Sequence, residues 1–369
     1  MPVIGIYSRF HEAGRFSKYC KIAKRLALEC NQASFLDELM RLGQGLNRPP
    51  LLPTSDESLY FISDHRKSLE RYYRFNIPDL QTLEMIIKKN GTQVLAERCG
   101  VPIPRTHFLQ TSEELKSICG EMNFPCIIKP LDTFSVKFFE SAKNVIVADP
   151  GQLRAFYQIH PHFLGQTIVQ EIIRGGDGHI FVCAAYFSAS SEPLAIYTGC
   201  KLRQYPPDYG VTCLGESIYL PELEATTVQF LKQIGFRGLV AAEFVRDRKS
   251  GSFYFIELNA RSYYHNQLFT DCGVNLAYIA YQDLLGEKIE PLRFRQKQGI
   301  RWLDFQRDLS SCWRKRKQGE MTWGVWFRTI LRARSFAYYD RKDLKPFLFA
   351  VFLFVRMLLQ KANEGFRDF

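Results

Sequence analysis

Two neighbouring strand-like runs restrict the folds open to this chain of 369 residues. Residues 239–245 and 252–258 are rich in apolar and aromatic side chains, as strands commonly are. The segment 246–251 between them is charged and ends in Ser-Gly, which suits an exposed hairpin loop. We therefore predict an antiparallel hairpin in this part of the chain.

The polar side chains of this hairpin are candidates for a metal site. Successive side chains of a strand alternate between its faces, so Glu257, Asn259 and Arg261 share one face. Antiparallel pairing brings Glu243 beside them. Neighbouring carboxylates repel each other, and Mg²⁺, which takes oxygen ligands, relieves that repulsion. The alternative is an ordinary amphipathic strand with a solvated polar face, and the pattern alone leaves both interpretations open.

Composition and missing motifs exclude several classes of protein. Apolar residues make up 46% and charged residues 24% of the chain, which is ordinary for a globular protein and excludes disorder. The ten cysteines form no C-x-x-C pair, so we expect reduced thiols rather than a zinc site or redox centre. The sequence contains no G-x-S-x-G, Walker A or G-x-G-x-x-G motif, which argues against hydrolases, P-loop proteins and dinucleotide-binding proteins. No secretory signal is evident, and we expect a cytoplasmic location.

Positive charge is concentrated in the last part of the chain. The net charge is +11, and residues 291–369 alone hold 18 Lys and Arg against 7 Asp and Glu, together with all four tryptophans. Apolar residues at 323–331 recur with helical spacing. The apolar run 347–359 has 13 residues, too few for a bilayer span of about 20. We predict a separate basic helical region whose residues 320–360 either contact a membrane surface or pack on the rest of the protein.

The rest of the chain divides into two parts. Residues 1–82 alternate short apolar runs with helix-like segments, the pattern of a small α/β layer. A helical run leads past Lys89 to Gly100, where prolines stop it, so residues 83–290 form the next unit. Besides the hairpin, this α+β unit has predicted strands at residues 126–129, 144–148, 167–173, 180–188 and 194–199.

Charged residues near these strands are further candidates. Lys129 ends an apolar strand and could bind an anion, although such a lysine is usually just exposed. Lys89 lies near the C-terminal end of a predicted helix, where a cation favourably meets the helix dipole. Lys201 and Arg203 share a strand face that suits either phosphate and carboxylate groups or solvent. Asp177 follows a Gly-Gly pair and suits either ribose hydroxyls or a plain turn.

The order and spacing of these motifs carry a family resemblance. The motifs are Lys89, GVPIPR at 100–105, IIKP at 127–130, QEII-x-GG at 170–176, EF at 243–244 and IELNAR at 256–261. They resemble the ATP-grasp superfamily, in the branch of predicted carboxylate–amine ligases related to D-aspartate ligase. The resemblance covers about residues 1–290, including PTSD at 53–56 and the helix at Arg66, with a weaker trace at 343–346.

This resemblance implies an α+β ATP-grasp fold, preceded by a small α/β domain and followed by the basic helical region. It implies ATP and Mg²⁺ as cofactors, and a reaction that joins a carboxylate and an amine into an amide through an acyl phosphate. The implied ATP-binding residues are Lys89, Lys129 and Lys137 at the phosphates, Gln170, Glu171, Ile172 and Ile173 at the adenine, and Asp177 at the ribose. The implied metal ligands are Glu243, Glu257 and Asn259. The implied stabilisers of the acyl phosphate and its carboxylate precursor are Arg261, Lys201 and Arg203.

Two departures from the family pattern modify these expectations. The family usually begins with an additional strand and a Gly-containing turn, so we expect the N-terminal domain to be incomplete or the true start to lie upstream. The phosphate-covering loop is normally Gly-rich but has no glycine at residues 131–137, although Ser135 and Lys137 could still cradle phosphate. The alternative function is therefore a catalytically weak or inactive ATP-binding regulatory or scaffold module at a membrane surface.

The expected partners are small-molecule carboxylate and amine substrates. Tyr263, Tyr264 and His265 follow the strand that leads to Arg261 and could face the acceptor. The basic run 314–317 is expected to be a solvated face, so we expect no nucleic acid partner. A homodimer and peripheral contact with the inner face of the membrane both stay open.

Overall fold

Three sheets and the helices around them are seen in the computed structural model, which describes residues 2–10, 12–26, 28, 31–131, 144–291 and 295–363. The strands are β1 (Val3–Tyr7), β2 (Cys20–Arg25), β3 (Thr106–Phe108), β4 (Cys126–Pro130), β5 (Val145–Val147), β6 (Thr167–Glu171), β7 (Ile180–Phe187), β8 (Pro193–Tyr205), β9 (Val211–Ser217), β10 (Gly238–Arg246), β11 (Phe253–Asn259), β12 (Arg301–Leu303) and β13 (Ala333–Phe336). The helices are α1 (Gln32–Gly43), α2 (Asp56–Asp64), α3 (Arg66–Leu69), α4 (Leu80–Ile87), α5 (Lys89–Arg98), α6 (Ser112–Glu121), α7 (Pro150–Ile159), α8 (Pro221–Gln233), α9 (Asn266–Asp271), α10 (Leu276–Leu284), α11 (Phe305–Lys317), α12 (Trp323–Ile330) and α13 (Lys345–Asn363). Short 3-10 helices lie at Ala13–Phe16 and Pro161–Phe163.

The strands are arranged in one large, one medium and one small sheet. The large sheet has seven strands in the order β11-β10-β7-β8-β9-β12-β13, and the medium sheet has four in the order β3-β6-β4-β5. Neighbours in both are antiparallel except β12 and β13, which are parallel. β1 and β2 form a separate parallel pair. This arrangement confirms the predicted α+β class.

The predicted hairpin is present in the large sheet as β10 and β11, with Glu243 opposite Glu257. Next to it, every residue of β7 is buried. Phe181 and alternate residues of β7 join a core formed with α2, α4 and α8, whereas Val182 and its alternates join a core formed with α9 and α10. Helices therefore cover both faces of the sheet, which explains the nearly continuous apolar run in this strand.

The four-stranded sheet has a core of its own, formed with α6 and α7. Ile128 of β4 and Val169 of β6 pack there against Leu153 of α7. Side chains alternate along the strands, so Lys129 and Gln170 lie on the opposite face. That face is turned toward the large sheet, where the site described below is formed.

The C-terminal region completes the large sheet. β12 pairs antiparallel with β9, placing Trp302 opposite Gly215, and β13 lies beside β12. Trp302 is completely buried, and α11 packs on β8 and β9. The prediction of a separate, purely helical region is therefore wrong. Strands of three and four residues show too little alternation to be recognised from sequence.

The two apolar stretches of this region behave differently. Trp326 of α12 is 3% exposed and donates from Nε1 to Asp308 of α11, so α12 packs on the protein. One face of α13 contacts the 3-10 helix Ala13–Phe16, where the ring centroids of Phe349 and Phe16 lie 4.3 Å apart in a tilted arrangement. The other face of α13 exposes Leu348, Val351, Phe352, Val355 and Leu359. In the described ranges, no helix is both long enough and apolar enough to cross a membrane.

A small α/β layer precedes the larger sheets. It contains β1, β2 and helices α1 to α3. Ser55 caps α2 through a reciprocal pair of hydrogen bonds with Ser58, which fixes the start of this helix at Asp56. The division between residues 82 and 83 falls inside α4, and this boundary and the one at 290 stay predictions.

Candidate functional site

A cavity of about 420 Å³ lies between the four-stranded and the seven-stranded sheet. β4 and β6 line it on one side, and β8, β10 and β11 line it on the other. The segments that follow β6 and β11 also contribute. Predicted site residues from both sheets meet here, namely Lys89, Lys129, Gln170, Glu171, Ile172, Ile173, Lys201, Glu243, Glu257, Asn259 and Arg261.

Lys129 is held at the wall formed by the four-stranded sheet. Its Nζ lies 2.7 Å from Oε1 of Gln170 on the neighbouring strand. The Nε2 atom of Gln170 donates in turn to Oγ1 of Thr106 at 2.8 Å. These hydrogen bonds direct the ammonium group toward the cavity, so the interpretation of Lys129 as a merely exposed strand end does not describe it.

Lys89 lies two residues beyond the C-terminal residue of α4, near a helix C-terminal end as predicted, but it is also the first residue of helix α5. The predicted helical run is interrupted at Lys88, whose extended backbone separates α4 from α5. A cation gains nothing from the dipole at a helix N-terminus. Instead, the Nζ of Lys89 donates to the backbone oxygen of Pro130 at 2.9 Å, and its N–H donates to that of Leu131 at 2.8 Å. Lys89 therefore joins α5 to the end of β4 at the cavity.

Glu243, Glu257 and Asn259 line the cavity from the paired strands β10 and β11. The buried carboxylate of Glu243 accepts hydrogen bonds from Lys201 Nζ at 2.6 Å and from the hydroxyl of Tyr263. No group of three or more His, Cys, Asp and Glu side chains among the described residues could hold a metal. The predicted set has two carboxylates and one amide oxygen, and such donors fit Mg²⁺, which leaves further positions to water and phosphate.

Arg261 is held by a carboxylate that the sequence reasoning missed. Its Nε lies 2.9 Å from Oδ1 of Asp56, and its Nη2 donates to Oδ1 of Asn259 at 3.1 Å. Burial disfavours the charge of this guanidinium, but Asp56, together with Glu257 and Tyr263, outweighs burial and raises the pKa of Arg261. The PTSD motif contained Asp56, but only the fold shows that the first residue of α2 reaches this arginine.

Tyr263, Tyr264 and His265 also line the cavity, where they were expected. The hydroxyl of Tyr264 donates to Oδ2 of Asp304 at 2.6 Å. Burial, aided by the nearby charge of Lys201, lowers the pKa of His265 to about 3. Its imidazole is therefore neutral at pH 7 and packs against the ring of Tyr263. Contact of these residues with an acceptor stays a prediction.

Arg203 and Asp177 are missing from the described residues that line the cavity. Arg203 is 4% exposed, and its guanidinium binds both carboxylate oxygens of Asp308 in α11, at 2.8 and 3.0 Å. Asp177 lies 3.1 Å from Nζ of Lys315 in the same helix. A register shift in β8 also separates Arg203 from Lys201. The assignments of Arg203 to the acyl phosphate and Asp177 to the ribose are thus corrected, because both side chains are bound by α11.

The residues predicted to meet the adenine beyond Gln170 lie at or just after the end of β6. Ile172 and Ile173 directly follow this strand, and Glu171 accepts a hydrogen bond from Asn123 at 3.0 Å. Lys137 lies outside the described residues, as does most of the predicted phosphate-covering loop at 131–137.

No protein-family profile matches the sequence, but individual known proteins are similar to this chain in sequence or in structure. The D-aspartate ligase of Enterococcus faecium is 25% identical over 264 residues, which cover 64% of this chain and 59% of that enzyme. The D-alanine–D-alanine ligase of Neisseria meningitidis is 22% identical over 179 residues, or 46% of this chain and 56% of that enzyme. A structure of the biotin carboxylase domain of Hydrogenobacter thermophilus 2-oxoglutarate carboxylase, in complex with MgADP, ADP and bicarbonate, has a TM-score of 0.62 at 17% identity and covers 81% of this chain and 67% of that one.

The chain has the fold of ATP-grasp structures. Its four-stranded sheet and its seven-stranded sheet are the two sides of an ATP-grasp cleft, and the cavity lies between them. The chain spans less than two thirds of the length of the two curated relatives, at 59% and 56%. The similarity to solved structures therefore shows the fold, and the partial similarity to these relatives does not assign their whole activity to this chain.

Proposed function

We propose that this protein is a Mg-ATP-dependent carboxylate–amine ligase. The observation that supports the proposal is the shared cavity, in which Lys129 of the four-stranded sheet faces the oxygen donors Glu257 and Asn259 of the seven-stranded sheet. A cation on one wall and metal-type ligands on the other suit a magnesium-bound triphosphate. The names of the two curated relatives and the MgADP bound to the structural neighbour support the same function.

The chemistry follows from the charges in the cavity. A substrate carboxylate attacks the γ-phosphorus of ATP, which releases ADP and forms an acyl phosphate. An amine then attacks the acyl carbon, and phosphate leaves as the amide forms. Lys89 and Lys129 offset the charge on the transferring phosphoryl oxygens, while Arg261 and Lys201 face the carboxylate precursor. Bound Mg²⁺ would neutralise phosphate charge from the side of Glu243, Glu257 and Asn259.

The substrates are proposed to be small amino-acid-like molecules, because both curated relatives are named for ligating amino acids. The end of the cavity beyond Arg261 offers Tyr263 and Tyr264, whose rings and hydroxyls suit a small polar acceptor. His265 supports this end as a neutral, buried imidazole.

The test is an ADP-release screen. Purified protein is incubated with Mg-ATP, a panel of amino acids and sugar acids, and a panel of amines. We expect ADP release that needs both a carboxylate and an amine, with an amide product of the matching mass. ATP binding without ADP release for any pair would contradict the ligase and favour the alternative, a regulatory ATP-binding module with a glycine-poor loop.

A second proposal concerns the membrane and rests on α13. Its exposed face carries Leu348, Phe352 and Leu359, together with exposed Lys345 and Arg356 and no acidic residue. Apolar and basic residues on one helix face suit an anionic lipid surface, to which each cation contributes about 1 kcal/mol. We therefore propose peripheral contact through α13 rather than through α12, whose Trp326 is buried.

Vesicle co-sedimentation tests this contact. We expect the protein to bind phosphatidylglycerol vesicles better than phosphatidylcholine vesicles, and the double variant Leu348→Ser and Phe352→Ser to bind weakly. Ile159→Ser is the matched control, because Ile159 is 71% exposed on α7. Equal binding by the double variant and wild type would remove the membrane proposal. Loss of a dimer in the double variant, without any vesicle binding by wild type, would show that a second copy covers this face instead.

A further inference from the structure

Helix α11 contacts the residues around the cavity near both of its ends. Next to its first turn, Asp304 accepts the hydrogen bond from the cavity-lining Tyr264. In its last turn, Lys315 contacts Asp177 and Asp208, and Asp208 lines the cavity. Eleven residues of α-helix separate these positions, which corresponds to about 16 Å. The helix thus extends along one side of the cavity.

At its second contact, α11 meets two turns that lie edge to edge. One turn contains Gly176 and Asp177 after β6, and the other contains Asp208 after β8. The backbone N–H of Asp177 lies 3.4 Å from Oδ1 of Asp208. Gly176 has φ of +83°, and a Cβ atom there would lie 3.1 Å from the same oxygen, so the close approach favours glycine. Asp208 itself adopts a left-handed backbone with φ of +67°.

Lys315 bridges the two turns. Its Nζ lies 3.1 Å from Oδ2 of Asp177 and 3.8 Å from Oδ1 of Asp208, with Glu320 at 3.4 Å as a third carboxylate. Gln204 supports the same cluster, because its Nε2 donates to Asp177 at 3.3 Å and to the backbone of the Asp208 turn at 3.0 Å. Two carboxylates on adjacent turns repel each other, and a lysine with a side chain 10% exposed supplies the charge that offsets this repulsion.

We propose that Lys315 is a positioning residue of the cavity. By bridging Asp177 and Asp208, it holds the segment that follows β6 in place at the edge of the cavity. The C-terminal region, which carries Lys315, thereby controls nucleotide affinity. The inference rests on the proposed function in one respect, namely that the cavity takes a nucleotide. Gly175, Gly176 and Asp208 all line the cavity, so a separation of the two turns changes its shape directly. Burial opposes the charge of Lys315, but the carboxylates of Asp177, Asp208 and Glu320 together outweigh burial and raise the pKa of this ammonium group, which keeps the bridge charged at neutral pH.

The test compares Lys315→Met with Lys317→Met, the same change at an exposed position of the same helix. Hydrogen–deuterium exchange is measured over residues 174–178 and 205–210, and MgADP affinity is measured by calorimetry. We expect faster exchange in both turns and affinity weakened roughly 2- to 30-fold for Lys315→Met only. Lys315→Arg keeps the charge and is expected to restore most of the affinity.

The two measurements separate the possible failures. Unchanged hydrogen–deuterium exchange of the two turns in Lys315→Met would overturn the inference, whether or not nucleotide binds. Faster exchange with unchanged MgADP affinity would show that the role of Lys315 is purely structural, and this result would also overturn the inference. Absence of MgADP binding by wild type would overturn the proposed function, and the exchange data alone would then decide whether Lys315 holds the rim. If Lys315→Met does not fold, Lys315→Gln, which keeps a polar side chain but removes its charge, must show both effects, and their absence would overturn the inference.

Discussion

The carboxylate of Glu243 is satisfied by two groups of its own cavity. Lys201 donates to one oxygen and Tyr263 to the other. Burial, reinforced by the Glu243 charge, raises the pKa of Tyr263 well above its ordinary value, so the phenol stays a hydrogen-bond donor at neutral pH. An unpaired buried carboxylate would cost several kcal/mol, and Lys201 removes this cost. A metal ion that binds here must therefore compete with Lys201 for Glu243.

Glu257 carries the most direct test of the metal assignment. Glu257→Gln keeps the volume of the side chain but removes the charge that a magnesium ligand needs. We expect Mg-dependent ADP release to be abolished while the thermal melting curve stays close to that of wild type. Glu222→Gln, at an exposed position of α8, is the matched control and should keep its activity. Full activity of the Glu257 variant would remove this residue from the metal site.

His265 predicts a pH dependence of stability. A histidine in the unfolded chain titrates near its ordinary value of about 6.5, whereas burial lowers the pKa of His265 to about 3 in the folded protein. Between these two values the unfolded state binds one more proton. The His265 contribution to the free energy of unfolding therefore decreases as the pH falls through this window, by about 1.4 kcal/mol per pH unit.

Urea unfolding at pH 7, 6, 5 and 4 measures this effect. Relative to its own stability at pH 7, His265→Gln should lose less stability on acidification than wild type, because glutamine does not titrate. His162→Gln, at an exposed position, should follow the wild-type curve. Parallel curves for wild type and the His265 variant would show that the imidazole is already protonated in the fold.

The sequence predicted some site residues better than others for a physical reason. Glu257 and Asn259 were placed correctly on one face because strand alternation is a local property of the chain. Arg203 was misplaced because the group that binds it, Asp308, lies 105 residues later and in a different element. Asp56 was missed for the same reason, since its partner Arg261 lies 205 residues away. Local patterns predict on which face of a strand or helix a side chain lies, but they do not predict which distant charged residue it will contact.

At the scale of elements, α11 is attached to the large sheet by a buried ion pair. Arg203 of β8 binds Asp308 of α11, and Asp308 also accepts the hydrogen bond from Trp326 of α12. The Arg203 and Asp308 side chains are 5% and 0% exposed. Loss of one partner leaves the other charge buried, so Arg203→Met is expected to lower the free energy of unfolding by about 3–5 kcal/mol.

Urea unfolding checks this expectation, with a variant that breaks an exposed ion pair as the control. Lys232→Met breaks the pair with Glu192, whose two side chains are 43% and 53% exposed, and should cost less than about 1 kcal/mol. Replacement of both partners, with Arg203→Met and Asp308→Leu, should cost less than the sum of the single changes. A stability loss for Arg203→Met no larger than that of the control, combined with lost turnover, would return Arg203 to a role in the reaction.

Element types were predictable where the pattern is long. The hairpin and the strands from β6 to β8 follow from apolar runs bounded by turn residues. The break between α4 and α5 was not foreseen, because Lys88 and its neighbours are compatible with a continuous helix and only the contacts of Lys89 with Pro130 and Leu131 explain the separation. Tertiary hydrogen bonds thus override the local preference for a continuous helix next to Lys89, a predicted phosphate-binding residue.

At the scale of the whole molecule, the C-terminal region is part of the folding unit. β12 covers the edge of β9, and Trp302 is buried in the core that includes Leu268 and Phe269. The excess of basic residues in this region suggested a separate segment, yet net charge does not report buried side chains such as Trp302 and Asp308, which attach the region to the large sheet. Only α13, with its exposed apolar face, contacts the rest of the described protein mainly through one short element, Ala13–Phe16.

Truncation distinguishes the part of the C-terminal region that is packed in the sheet from helix α13, which has fewer contacts. A chain that ends at residue 290 loses β12, α11 and β13, which exposes the edge of β9 and leaves Arg203 without Asp308. We expect it to lack a cooperative thermal transition by circular dichroism. A chain that ends at residue 344 keeps these elements and Asp343, which accepts hydrogen bonds from Ser17 and Lys18, and should melt cooperatively. Cooperative melting of the shorter chain would show that the first 290 residues fold alone and that the C-terminal strands are an addition to a complete sheet.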